Sequence, residues 1–402
     1  MVKDSAKSVA SPAALVAASS HPGVRRIVVS GVIKGAPTLR LAPGQQLVGD
    51  TEGAGVLFAP GVDGLQLSSD NEVRDLRLET LPDRRAIFND TGIDVLGLIA
   101  LANVTVVGQV QILLRDRLRR GHVSVKGLNI IDADARGRRD RPSGHGVELL
   151  QGAFTLWNLQ LDDASMVTAE LVGITVGEDG TPVRGSVVCI GGAAGNSGGR
   201  LRVSRLETGP VLCDGKLAPG TANLITGGVF VLPGAHVDEV RNRGPVTTFG
   251  ANDMVLGNWG DVGRWIAEAK LASHGAGAIG FVNVGTMREL KVEGPIETFG
   301  LGARGFEICA GRIHGAEFDR IITHADAAIG IQISGPLGRL IVRRGLETRG
   351  GMGKTFLEGV HHPACRGRTQ HQARRQHRRG VDRGRHHHQG RRSCGHRDRA
   401  GN

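Results

Sequence analysis

The 402-residue chain has no tyrosine, three tryptophans and ten phenylalanines, so aromatic residues make up only 3% of it. That scarcity argues against a surface built on stacking with bases or sugar rings. Cysteine is scarce as well. The five cysteines, Cys189, Cys213, Cys309, Cys365 and Cys394, are odd in number, and no two have zinc-finger or CxxC spacing. Neither a disulfide framework nor a metal site follows from them, and no resident cofactor is expected. Long hydrophobic runs are missing too. The longest, Val95 to Ala102, is eight residues, whereas a membrane helix needs about 20. Lys3 and Lys7 precede only a mild Ala13–Ala18 stretch, too short for a signal peptide. The chain reads as soluble, with its compartment undecided.

The formal net charge is +11, but it is not spread over the chain. Residues 361–402 hold twelve Arg against two Asp, which leaves 38 basic and 37 acidic residues in positions 1–360. The body therefore has no excess charge to attract nucleic acid or an anionic membrane. The tail contains no Lys, Leu, Ile or Phe and a single Val, so it cannot bury a core and is expected to be disordered. Three readings stay open for it. An Arg-rich arm binds nucleic acid by releasing counterions, and the run His386-His387-His388 is a metal-catching pattern. The third is a shifted reading frame, because a GC-rich gene, as the Arg, Ala and Gly usage of the body suggests, yields Arg, Gly, His and Gln when read out of frame.

The architecture comes from a repeat. Within 237–360 a hydroxyl residue returns every 25 positions, at Thr248, Ser273, Thr298, Thr323 and Thr348. Two places before it stands an aliphatic residue: Val246, Leu271, Ile296, Ile321 and Leu346. Two places after it stands a small one: Gly250, Gly275, Gly300, Ala325 and Gly350. Eight places after it come Leu256, Phe281, Phe306, Ile331 and Phe356. A period of this length means a stacked array in which each unit buries its apolar face against its neighbours.

Alternating runs such as Leu76-Arg77-Leu78, Val123-Ser124-Val125 and Leu201-Arg202-Val203 are strand-like, and turn residues separate them. Only Gly263 to Ala272 hints at a helix. Helix-bearing repeats are thereby disfavoured, and propeller blades need longer units. The expected fold is an all-β, right-handed parallel β-helix of 25-residue coils. Like residues should stack ~4.8 Å apart, with the aliphatic and hydroxyl columns both facing the lumen. The hydroxyls are expected to hydrogen-bond from coil to coil. The reading divides the chain into a flexible segment 1–21, a β-helix domain 22–360 with loops near 135–146 and 177–200, and the tail 361–402. No capping element is seen before the tail.

The stretch Val28-Val29-Ser30-Gly31 followed by Leu39-Arg40-Leu41-Ala42-Pro43-Gly44-Gln45-Gln46-Leu47-Val48-Gly49 resembles the first coil of right-handed β-helix proteins of the pectin-lyase-like superfamily. The resemblance covers nearly all of 22–360. It implies a protein that binds or processes carbohydrate, such as a polyuronide lyase, a glycoside hydrolase or a non-catalytic adhesin-like solenoid. It does not choose among them.

Two candidate sites emerge. The first is polar: Asp132, Asp134, His145 and Asp163. Aligning Leu128-Asn129-Ile130 with Leu159-Gln160-Leu161 stacks Asp132 on Asp163, with His145 and several Arg in the loop between. Paired carboxylates suit hydrolysis, one protonating the leaving oxygen and the other activating water. For a lyase they would instead hold Ca²⁺ bridging a uronate. The plain structural reading is a solvated loop of mutually neutralised Arg and Asp. Asp132-Ala133-Asp134, Gly144-His145-Gly146 and Asp162-Asp163 are similar to pieces of the polygalacturonase pattern, but their order differs and no Arg-x-Lys follows. The second candidate is the column one place after the hydroxyls: Phe249, His274, Phe299, His324 and Arg349. It should point outward and form a stripe, either a platform for a polysaccharide or a stabilising stack. Asn258 and Asn283 should form a short ladder in a turn, and Trp157, Trp259 and Trp265 share no column.

Overall fold

The structure, a computed structural model, describes residues 5–371 apart from 145, 196, 219–220, 222, 358–359 and 365–368, with the backbone alone for residue 144 and beyond 353. Short strands dominate, and almost all pair in parallel. Among the described residues, 19 strands form one sheet and 14 a second. In the regular part a coil has three sides, such as Asp261–Ala267, Leu271–Ser273 and Ile279–Asn283. Each side pairs in parallel with its counterparts in the coils before and after. The first two sides share the larger sheet, because strands such as Thr286–Thr298 run through both.

The 25-residue period is the register of that pairing. Leu271 lies beside Ile296, Ile296 beside Ile321, and Ile321 beside Leu346. Val246, Leu271, Ile296 and Ile321 are fully buried, and so are Thr248, Ser273, Thr298 and Thr323. Both columns therefore face the interior, as strand alternation requires. The small column sits at a corner where coils nearly touch. A Cβ on Gly300 would lie 1.7 Å from the carbonyl oxygen of Gly275, so that position takes no side chain without a shift, although Ala325 stands in the same column one coil on.

One expectation about the lumen fails. The hydroxyl oxygens of Thr248, Ser273, Thr298 and Thr323 have no hydrogen-bond partner. Equivalent atoms on neighbouring strands keep the strand spacing of ~4.8 Å, and an O–H···O bond needs about 2.8 Å. The longer amide of asparagine does span the gap. Asn258 Nδ2 donates to Asn283 Oδ1 at 2.8 Å, and both side chains are buried.

Within the segment expected to be flexible, 1–21, the described residues form a strand, Ser5–Val9, and a helix, Pro12–Ser19. Ser5–Val9 pairs in parallel with Val24–Val29, and Pro12–Ser19 is a helix whose N-cap Ser11 accepts from the Ala14 amide. Leu15 and Ala18 of the helix are fully buried in the core. The helix is thus a lid on the first coil. Its buried residues Leu15, Ala18 and Ser19 lie on one face, but the exposed face carries Ala13, Val16 and Ala17, so the sequence shows no apolar periodicity there. Gly263 to Ala272 is not helical but belongs to two strands.

Coil length varies upstream. Leu128 lies beside Ile174, 46 residues on, and Ile174 beside Thr208, 34 residues on. The 177–200 region is therefore not one loop, because Ser186–Gly191 is a strand of the second sheet. At the other end the register stops after Thr348. Gly353–Leu357 folds back on Val360–Ala364, so Phe356 pairs with His361 and does not continue the Ile331 column. Ile331 is paired instead with Thr369. Residues 372–402, which hold most of the basic tail, its His386–His388 run and Cys394, lie outside the described residues, as does Cys365.

Candidate functional site

The carboxylates expected to converge do not. Asn129 stacks on Thr175, whose hydroxyl donates to Asn129 Oδ1 at 3.0 Å, and not on Gln160. Asp132 ends the strand Arg120–Asp132 and receives Arg184 Nη2 at 2.9 and 3.1 Å. Asp134 receives both the Nε and Nη2 of Arg136, at 2.9 and 2.7 Å, with Arg184 Nε 3.6 Å away. Burial would raise the Asp134 carboxyl, but hydrogen bonds from Arg136 and the charge of Arg184 outweigh it and hold it below the ordinary carboxylate range.

Asp163 lies past the far end of the next strand of the second sheet, Gly152–Asn158, and accepts from the Gly198 amide. A seven-residue strand is roughly 23 Å long. Glycosidase carboxylates stand about 5–9.5 Å apart. Asp132 and Asp134 therefore cannot work with Asp163 on one bond. The alignment failed because the coil carries an excursion at 135–150, part of which, Val147–Leu149, pairs with Leu224–Val231. His145 lies outside the described residues. Among the described residues, no group of three or more His, Cys, Asp or Glu is placed to hold a metal ion.

The second candidate is assembled. Phe249 stacks on His274 with ring centroids 5.1 Å apart and planes 11° from parallel. His274 stacks on Phe299 at 4.8 Å and 5°, and Phe299 on His324 at 4.4 Å and 11°. Arg349 ends the row, its Nη1 3.4 Å from His324 Nδ1. Because arginine only donates, His324 Nδ1 is the acceptor there, and its Nε2 is buried without a hydrogen-bond partner. Strand spacing sets the interval, and one residue per coil on the same outward column does the rest. Phe249, His274 and Arg349 are exposed, and Phe299 and His324 are half-buried.

Charged side chains flank the row. Lys270 Nζ lies 5.7 Å from the centroid of Phe299 and pairs with Glu297. Arg320 and Arg349 both pair with Glu347, each at 2.8 Å. Desolvation, with Lys270 adding to it, lowers the pKa of His274, so the ring is neutral at pH 7. Its nitrogens have no hydrogen-bond partner among the described residues. The flanking pairs were overlooked in the sequence although a signal was present. Lys270–Glu297, Arg320–Glu347 and Arg241–Glu268 are each separated by 27 residues, one repeat plus two.

Elsewhere the outer surface is likewise paired, as with Arg343–Glu317 and Arg344–Asp319. No helix of the described residues is long and apolar enough to cross a membrane. Comparison with family models, with curated proteins and with solved structures gave no match.

Proposed function

We propose that the protein is a right-handed parallel β-helix of the pectin-lyase-like kind that binds an acidic polysaccharide along the column Phe249–His274–Phe299–His324–Arg349, without turning it over. The single observation behind this reading is the continuous outward row of stacked side chains, one per coil. Apart from the outer face of Phe249 at one end, their faces are engaged with each other, so the row offers a ligand chiefly its edge. At that edge stand the unpartnered nitrogens of His274, together with three cations, Lys270, Arg320 and Arg349, that share only two carboxylates, Glu297 and Glu347. Such donors suit carboxylates, whereas a neutral sugar would need a free ring face. Turnover is left out because Asp132 and Asp134 are held by Arg184 and Arg136, and Asp163 is remote from them.

The test is retention on immobilised polygalacturonate against neutral dextran. Retention on the first alone is expected, weakening with salt and strengthening as pH falls and His274 gains charge. His274→Phe keeps a ring in the stack and removes its nitrogens, so the double variant with Arg349→Ala should bind at least tenfold more weakly while its melting temperature falls by no more than about 4 °C. No retention on polygalacturonate sinks the proposal. Equal retention by the double variant removes this column from it.

A further inference from the structure

The last coil of the larger sheet, Leu337–Val342 and Leu346–Thr348, is paired on one side only. Both strands lie beside Arg312–Thr323, and among the described residues no strand pairs with their other edge. Their inward residues continue the core columns. Leu337 follows Ile313, Leu340 follows Ala316, Val342 follows Phe318, and Leu346 follows Ile321. One coil earlier these columns are 0–4% exposed, but Leu340 is 36% exposed and Leu337, Val342 and Leu346 are only half-buried. Among the described residues the larger sheet thus ends on an open strand edge backed by apolar side chains, an arrangement that templates further pairing.

Two occupants are excluded by chemistry and geometry. Residues 361–402 contain no Leu, Ile or Phe, so they cannot extend the aliphatic columns. The short strand Thr369–His371 adds to the second sheet beside Ile331–Ile333 and leaves the larger sheet's edge free. The opposite end of a second molecule does not fit either. There the helix Pro12–Ser19 covers the first coil, with Leu15 and Ala18 fully buried beneath it.

We infer that two copies of the chain join through these ends, tail to tail, about a two-fold axis at Leu337–Val342. The strand meets its symmetry mate antiparallel. A two-fold axis normal to the sheet keeps inward side chains inward, so Leu340 and Val342 of each copy cover those of the other. Because the helix-covered ends face away, the contact closes at two and does not propagate into a fibre.

Sedimentation velocity on the full chain, from 1 to 100 µM, tests this, together with hydrogen exchange of the 337–342 amides at both extremes. (That range, about a hundredfold, shifts the population of any dimer whose dissociation constant lies within it.) A dimer is expected whose 337–342 amides lose protection on dilution. Leu340→Glu should raise the dissociation constant at least tenfold without changing the far-UV spectrum. Should that variant misfold, the concentration dependence of exchange in the parent still decides. A monomer throughout, a dimer untouched by Leu340→Glu, or 337–342 amides protected equally at every concentration would each overturn the inference. The last outcome would mean that the chain's own residues cover the edge.

Discussion

The imidazole of His274 lies flat on the ring of Phe299, with centroids 4.8 Å apart and planes 5° from parallel. Two benzene rings avoid a full face-to-face sandwich, because both faces are electron-rich. The parallel strands hold the rings of this column nearly parallel all the same, and alternating Phe with imidazole keeps two benzene rings from lying face to face. Phe299, between two imidazoles, should therefore be the keystone of the row. Phe299→Ala is expected to lower unfolding free energy by about 2–3 kcal/mol, from two ring contacts and lost burial. His274→Phe should cost less than about 1 kcal/mol. Urea unfolding of the three proteins checks the ranking, and equal losses would show that burial alone matters.

That row was legible in the sequence because the side of each coil that leads into it keeps a 25-residue step from Val246 to Leu346, so a column in the text is a column in space. This holds even though the first side steps by 26 and then 24 residues, from Met287 to Ile313 to Leu337. The same held for the buried aliphatics and for Asn258 and Asn283. Upstream the step becomes 34 and then 46 residues, as Ile174–Thr208 and Leu128–Ile174 show. Corner excursions leave no mark on strand alternation, so Asp132 and Asp163 were brought together by an alignment one insertion short. The helix Pro12–Ser19 escaped notice for a different reason: it covers the end of a coil, where neither period 2 nor the 25-residue repeat applies.

Asp253 is the buried carboxylate whose titration should be visible in stability. It occupies the position held by Ala278, Ala303 and Ala328 in the following coils and is fully enclosed. Burial pushes its pKa up from 3.8 to about 6, against hydrogen bonds from the Thr226 hydroxyl and from the Gly250 and Gly215 amides, while nearby Asp214 raises it further. The folded state therefore holds this proton more tightly than the unfolded chain. The sign follows: stability is greatest below pH 3.8 as far as this group is concerned and falls as pH rises to about 6. The shift is worth about 3 kcal/mol. In Asp253→Asn that slope should vanish, which parallel urea titrations at pH 4, 5, 6 and 7 would reveal. A difference between the two proteins that does not change with pH would exclude a raised pKa.

The four unpartnered hydroxyls make a prediction opposite to the usual cost of core mutations. Thr298 is fully buried and its Oγ1 has no acceptor or donor in reach. Exchanging that oxygen for a methyl group removes a desolvated polar atom and adds apolar contact at nearly constant volume. Thr298→Val should therefore stabilise the fold by about 1 kcal/mol, read as a higher melting temperature. A loss of similar size would mean that a buried water serves the ladder.

The turn after the glycine column sets a second core test. Asn252, Gly277, Gly302 and Ala327 share one place in successive coils, all with positive φ, at 57°, 69°, 66° and 57°. Glycine adopts this conformation freely and asparagine tolerates it, but alanine is strained there by about 1–2 kcal/mol. The Ala327 side chain is buried, so its removal also gives up a methyl contact, and glycine costs more entropy on folding. The strain is the larger effect because an alanine held at positive φ destabilises by more than the chain entropy that glycine costs. Ala327→Gly is expected to raise stability by about 0.5–1 kcal/mol, and Gly302→Ala to lower it by more than that. If both substitutions destabilise equally, backbone strain is not what distinguishes this column.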